Sequence, residues 1–141
     1  PQAFEAEGER RLPLIRKALD KVLGGSFRTA AVLTRTMREA EELHAALSQG
    51  ELEVNLITGE LTQYNGGISV LPVYLSKGLE FDAVIVTDVD KAHYSSKDAK
   101  LLYVGCTRAL HELWLLHGKE LPDYVPGDRS TDYAVRTNLE A

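Results

Sequence analysis

Two clusters near the middle of the chain carry residue types that could do chemistry. The first, Lys77-Gly78-Leu79-Glu80-Phe81-Asp82, puts three ionisable side chains around one short turn between apolar runs. Core packing would not select a Lys, a Glu and an Asp there. Gly78 permits a sharp backbone turn after a strand, and N–H groups in such a turn can face a phosphate. The plainer alternative has Glu80 capping a short helix and Lys77 solvated. Phe81 and Val84 read as core, and Asp82 as a local cap.

The second cluster is Tyr103-Val104-Gly105-Cys106-Thr107-Arg108-Ala109. On a helix, Leu101, Gly105 and Arg108 share one face. Gly105 leaves room for a neighbouring segment. Arg108, among small neighbours, offers a planar fork suited to phosphate oxygens. Its alternative is an ion pair with Glu80 or Asp88. Tyr103 reads as core and Cys106 as a small buried hydrophobe.

Other chemistries find less support. His44, His93, His111 and His117 show no metal-ligand spacing, and a single cysteine offers no pair to help them, so no metal ligand is assigned. No Ser-His-Asp arrangement can be argued. The phosphate-cradling GxxxxGK[ST] loop does not occur. Apart from Asp88 and Asp90, no acidic pair follows an apolar strand in a position to hold Mg2+.

The elements that must position these clusters alternate between helix and strand. Leu12, Ile15, Leu19, Val22 and Leu23 recur at helical spacing over 9–23, and Gly24-Gly25 stop that helix. Strands are predicted over 28–35, 53–58, 68–75, 83–89 and 112–117. Pro72 marks an irregularity or an edge position in the third of these. Thr36-Met37-Arg38-Glu39 is a capping box opening a helix that Gly50 ends. Asn65-Gly66-Gly67 signals a turn. Ser95-Ser96 cap a helix over 97–110. Continuous rather than alternating apolarity points to an α/β fold with a mostly parallel sheet covered on both faces. Ligands of such sheets bind at the carboxyl ends of strands, which directs attention to the SKGLEFD turn and the loop after Asp88.

A length of 141 residues suits one domain with a real core. The net charge of −5 argues against an autonomous nucleic-acid-binding module, because phosphate contacts need clustered Lys and Arg. No apolar run is long enough to span a membrane, no secretory leader is legible, and one cysteine is compatible with a reducing compartment. A cytoplasmic location and no membrane partner are expected.

SKGLEFDAV resembles motif V, and LLYVGCTRAL motif VI, of UvrD/Rep/PcrA-type superfamily 1A DNA helicases, in the same order and at a matching separation. The HelD-like branch is most similar, with a VLPVYL-KGLEFD run and a Leu-His pair after the Thr-Arg-Ala. The resemblance is specific over 68–116 and weaker over 28–58. It implies the second RecA-like (2A) motor domain: a three-layer α/β sandwich, P-loop NTPase-like but without the P-loop. Residues 9–117 would form this domain, 1–8 a frayed start and 118–141 an extended C-terminal tail.

The resemblance also implies roles. Arg108 would reach across a cleft to the γ-phosphate and act catalytically. Glu80 would contact the ribose side of the nucleotide, with Gly78 shaping the turn, while Tyr74, Ser76 and Lys77 would line a single-stranded DNA track. Where relatives often carry Thr-Leu-His, this chain has Pro72-Val73-Tyr74, and Tyr74 is suited to stacking on a base. Arg35-Thr36-Met37-Arg38 resembles the segment after motif IV, but reads better as a helix cap with a solvated Arg. The first motor domain, with motif IV and the Mg2+ ligands, is expected upstream of Pro1. The implied partners are that N-terminal RecA-like domain of the same parent chain and single-stranded DNA, with ATP and Mg2+ as cofactors. The fragment alone would not hydrolyse ATP. Two alternatives remain open: an ATP-driven factor that releases RNA polymerase, as HelD-like proteins do, or a non-enzymatic interaction module that kept the fold.

Overall fold

The apolar runs become strands buried on both faces because helices cover the sheet from either side. The computed structural model describes residues 2–5, 10–59, 66–118, 121–125 and 134–136. In chain order the elements are β1 (Gln2–Glu5), α1 (Arg11–Leu23), β2 (Thr29–Thr34), α2 (Met37–Leu47), β3 (Val54–Leu56), β4 (Gly67–Pro72), β5 (Phe81–Val86), α3 (Ala99–Cys106), β6 (Ala109–His117) and β7 (Ala134–Arg136). They form one sheet in the order β3-β4-β2-β5-β6-β1-β7, and every described pairing is parallel.

Side chains alternate across that sheet with the period of two that strands impose. Ala30, Val32, Ile68, Val70, Ala83, Ile85, Trp114 and Leu116 face α1 and α2, meeting Ile15, Leu19, Leu43 and Leu47. Ala31, Leu33, Leu71, Val84, Val86 and Leu115 face the other way, against Leu102 of α3, Val73 and Tyr94. This is the expected three-layer sandwich, and Phe81 and Val84 lie in its core as anticipated. Thr36 caps α2 by accepting the Glu39 N–H, but the Glu39 carboxylate takes the Thr36 hydroxyl at 2.8 Å.

Several expectations need correction. Residues Gln2–Glu5, expected to be frayed, pair with β6 from Gln2↔Trp114 to Glu5↔His117. Ala134–Arg136, assigned to an extended tail, pairs with β1. Without β1 the outer edge of β6 would present unpaired N–H and C=O groups, a demand that no local pattern in either segment announces. Asn65 lies outside the described residues, while Gly66 and Gly67 have φ of +83° and +78°. Pro72 is the last residue of β4, which lies between β2 and β3 rather than at an edge.

The helix predicted over 97–110 is shorter. Ser95 and Asp98 form a capping box on a 3-10 turn, Ser96–Asp98, and α3 proper ends at Cys106. Arg108 therefore sits in the turn before β6, not on the helix face. Pairing wins over helix propensity here: the Phe81 N–H donates to the Arg108 carbonyl at 2.9 Å, and Ala109 enters the sheet beside Phe81.

The connection from β4 to β5 fixes the site. These strands are parallel with β2 between them, so residues 73–80 must return from the carboxyl end of the sheet to its amino end. They do so through a 3-10 turn, Val73–Leu75, pressed against α3. At the contact, a Cβ on Gly105 would lie 2.8 Å from Val73 Cγ2 and 3.1 Å from Leu33 Cδ1. Only glycine lets the layers close to this distance.

Gly105→Ala should therefore destabilise the fold by about 1–2 kcal/mol, overpacking exceeding the helix propensity that Ala gains. Val73→Ala in the same chain should recover part of the loss. Denaturant melts of the two single variants and the double variant measure the coupling, and strictly additive losses would contradict the close-contact account.

Candidate functional site

The Lys77–Glu80 turn lies at the amino end of β5, because the crossover has carried it there. The Leu79 N–H donates to the Ser76 carbonyl at 3.0 Å, closing the turn, and Gly78 has φ +85°. A Cβ at Gly78 would touch nothing within 4 Å, so glycine serves the backbone angle and not a shortage of space. Lys77, Gly78 and Glu80 are exposed. Tyr74 is 51% exposed in the 3-10 turn before them. Ser76 departs from expectation. It is fully buried, and its hydroxyl donates to the Val73 carbonyl at 2.6 Å. It stabilises the turn from inside and cannot face a nucleic acid.

Arg108 folds back onto this turn. Its Nε donates to the Val104 carbonyl at 3.0 Å, Nη2 to the Thr107 hydroxyl at 3.1 Å, and Nη1 makes a longer contact of 3.5 Å with the Leu79 carbonyl. Neither Glu80 nor Asp88 pairs with it. Asp88 is held by Arg11 through two bonds of 3.1 and 2.9 Å. Tyr103, expected in the core, is 70% exposed. Burial pushes the Cys106 thiol up to about 11, in keeping with its reading as an inert hydrophobe. Asp82 caps the distant start of β2, accepting the Arg28 and Thr29 N–H groups at 2.8 and 3.1 Å.

A second constellation gathers at the opposite, carboxyl end of β2 and β5. The SKGLEFD turn and the loop after Asp88 thus lie at opposite ends of the sheet. Of the two arginines flanking the α2 cap, Arg38 is solvated, while Arg35 donates to Asp98 at 3.2 Å and to the His93 carbonyl at 3.1 Å. His93 Nδ1 lies 2.8 Å from Asp90 Oδ1, and Nε2 lies 3.0 Å from Glu39 Oε2. Burial opposes charging of His93, but its hydrogen bond to Asp90 and the charges of Asp90, Asp88 and Glu39 outweigh that and raise its pKa. One ligand atom each from Glu39, Asp88 and His93 lie within 4.8 Å of one another, a set that could hold a metal ion. Sequence spacing gave no such set. The legible signal was Asp88-x-Asp90-x-x-His93 directly after a strand, but Glu39 joins it only through the sheet order.

Comparison with known proteins agrees with this architecture. Residues 67–116 match the UvrD-like helicase C-terminal domain. The solved C-terminal domain of a possible DNA helicase from Lactobacillus plantarum WCFS1 is 30% identical, with a TM-score of 0.81 over 95% of this chain and 83% of that one. This chain belongs to the UvrD-like helicase C-terminal domain family. DNA helicase II of Rickettsia typhi and a probable homologue of Rickettsia felis are each 24% identical over 100 residues. That alignment covers 62% of this chain but 15% of either relative, so the chain spans a small part of the proteins it matches. The C-terminal domain of the DEAD-box protein Dbp5 shares the fold at 12% identity and a TM-score of 0.61, covering 84% of this chain and 76% of that one. In this UvrD-like domain the SKGLEFDAV and LLYVGCTRAL segments both fall inside the matched region.

The Asp82 carboxyl titrates below its ordinary value chiefly because the Arg28 N–H bonds it, with Thr29 and His111 assisting and burial opposing. A depressed folded-state pKa adds stability that is present above the ordinary value of 3.8 and lost as pH falls through the folded value. Asp82→Asn should lower the melting temperature at neutral pH, and the gap from wild type should narrow below about pH 4. Thermal melts of both proteins from pH 7 to pH 2.5 check this, and a gap constant across that range would refute it.

Proposed function

We propose that this UvrD-like domain forms one wall of an interdomain ATP site in a longer helicase, and part of a single-stranded DNA track. The observation that carries the reading is the state of Arg108. Its guanidinium is held by carbonyl and hydroxyl oxygens beside the Lys77–Glu80 turn and is paired with no carboxylate among the described residues. Three of its five N–H donors are used. Its charge is oriented and not neutralised.

That arrangement fits half of a nucleotide site. Arg108 would face the terminal phosphate. The open turn at Gly78 and the exposed Glu80 carboxylate would face the remainder of the nucleotide. ATP, when bound, supplies the phosphoryl group whose transfer drives domain closure and opening. The Mg2+ ligands and the phosphate-cradling loop would come from the N-terminal RecA-like domain. Tyr74, half exposed, and Lys77, exposed, would meet the DNA strand by stacking and charge.

On this reading the chain by itself does not turn ATP over, since it holds no GxxxxGK[ST] loop. Mg2+-dependent hydrolysis by the purified domain, free of contaminating ATPase, would count against it. In the full-length protein, Arg108→Ala should lower turnover by roughly 10³ or more, with nucleotide affinity changing far less. Arg108→Lys should not rescue it, because an ammonium lacks the planar fork. Both variants also lose the bonds to Val104 and Leu79, so some loss of melting temperature accompanies either role. Turnover per folded molecule separates the roles, and a near-normal value in Arg108→Ala would remove the case for an ATP site.

A further inference from the structure

The cluster at the carboxyl end of β2 and β5 has no part in the proposed ATP site, and its charges do not balance. Glu39 on the first turn of α2 and Asp88 and Asp90 after β5 place three carboxylates around His93. Arg11, at the start of α1, answers Asp88. Arg35 approaches from the end of β2, but its guanidinium is taken by Asp98 and the His93 carbonyl. Three carboxylates against one guanidinium leave a charge of two minus, which a proton on His93 only halves.

We propose that Glu39, Asp88 and His93 form a binding site for one divalent transition cation of the Zn2+ class. The His93 Nδ1–H donates to Asp90 Oδ1 at 2.8 Å, which fixes the ring and leaves Nε2 as the ligating nitrogen. This is the carboxylate–histidine–metal arrangement, in which the outer carboxylate orients the ring and raises its basicity. Nε2 lies 3.0 Å from Glu39 Oε2. Ligand atoms about a tetrahedral ion with bonds near 2.0 Å sit about 3.3 Å apart, so this pair needs little change, and Asp88 offers its oxygen from within 4.8 Å of both. Without a cation, a proton on Nε2 must fill the same gap.

Arg11 does not exclude Asp88, since each carboxylate oxygen has a second lone pair. An imidazole with two carboxylates favours Zn2+, Co2+ or Mn2+ over Mg2+, which prefers oxygen ligands and keeps its waters. Tyr94, next to His93 in the chain, is fully buried and its hydroxyl has no hydrogen-bond partner among the described residues.

The test uses this chain, stripped with chelator and dialysed, then titrated with Zn2+ by calorimetry and with Co2+ by visible absorption. One ion should bind per chain, Co2+ should develop visible bands, and Zn2+ should raise the melting temperature. His93→Asn and Glu39→Gln should each weaken binding at least about 100-fold, and Asp90→Asn about 10- to 100-fold. His111→Ala, remote from the cluster, should bind like wild type. Circular dichroism and a metal-free melt of each variant establish that it is folded. If a ligand variant fails to fold, Asp90→Asn with its Co2+ spectrum decides. Absence of saturable one-to-one binding, or binding that survives His93→Asn, would overturn the site. Either result leaves the reading of Arg108 untouched, because no residue is shared.

Discussion

The approach of Val73 to Gly105 is the contact on which the rest of the domain depends. Two parallel strands with a third between them must be joined by a chain that runs back across the sheet. Here that chain is eight residues, 73–80, too short to make a full helix of its own over the core. It can stay short only by lying flat against α3, and it can lie flat only where α3 has no side chain. The 2.8 Å that would separate a Gly105 Cβ from Val73 Cγ2 measures how little room is left. Buried Ser76, bonded to the Val73 carbonyl, then ends the 3-10 turn and starts the next one.

From that contact the positions of the exposed groups follow. The crossover delivers Lys77, Gly78 and Glu80 to the amino end of β5, where the start of β6 brings Arg108 alongside. The same packing leaves Tyr74 and Tyr103 outside, on the two elements that meet at Gly105.

How much of this was legible in the sequence depends on how local each cause is. The α/β sandwich was legible because strands buried on both faces write themselves as unbroken apolar runs, as in Ala83–Val86. The Thr36 cap was legible because its partners lie three residues apart. The helical setting expected for Arg108 was not legible, because the Phe81–Arg108 pairing that ends α3 joins distant residues. Ser76 and Tyr103 were misplaced for a related reason. One residue in a motif can point inward and its neighbour outward, and only the crossover decides which. Arg35 and His93 were missed because their partners Asp98 and Glu39 meet them through the order of strands, which periodicity does not encode.

The arginines of this domain show how one side chain serves opposite ends. Arg11 and Arg35 face carboxylates, Asp88 at 2.9 Å and Asp98 at 3.2 Å. Each pair ties distant segments together: the start of α1 to the loop after β5, and the end of β2 to the start of α3. The positive charge is consumed in doing so. Asp88 gains from its partner in another way, since it holds φ +54°, a conformation that non-glycine residues seldom adopt and that a bidentate partner helps to fix. Arg108 is secured differently, on the carbonyls of Val104 and Leu79 and the Thr107 hydroxyl. Carbonyl oxygens at the end of a helix carry only partial negative charge. They can set the plane of a guanidinium without cancelling it. Such a fork is aimed but not satisfied, and an anion approaching from outside the domain meets a full positive charge whose orientation has already been fixed by folding.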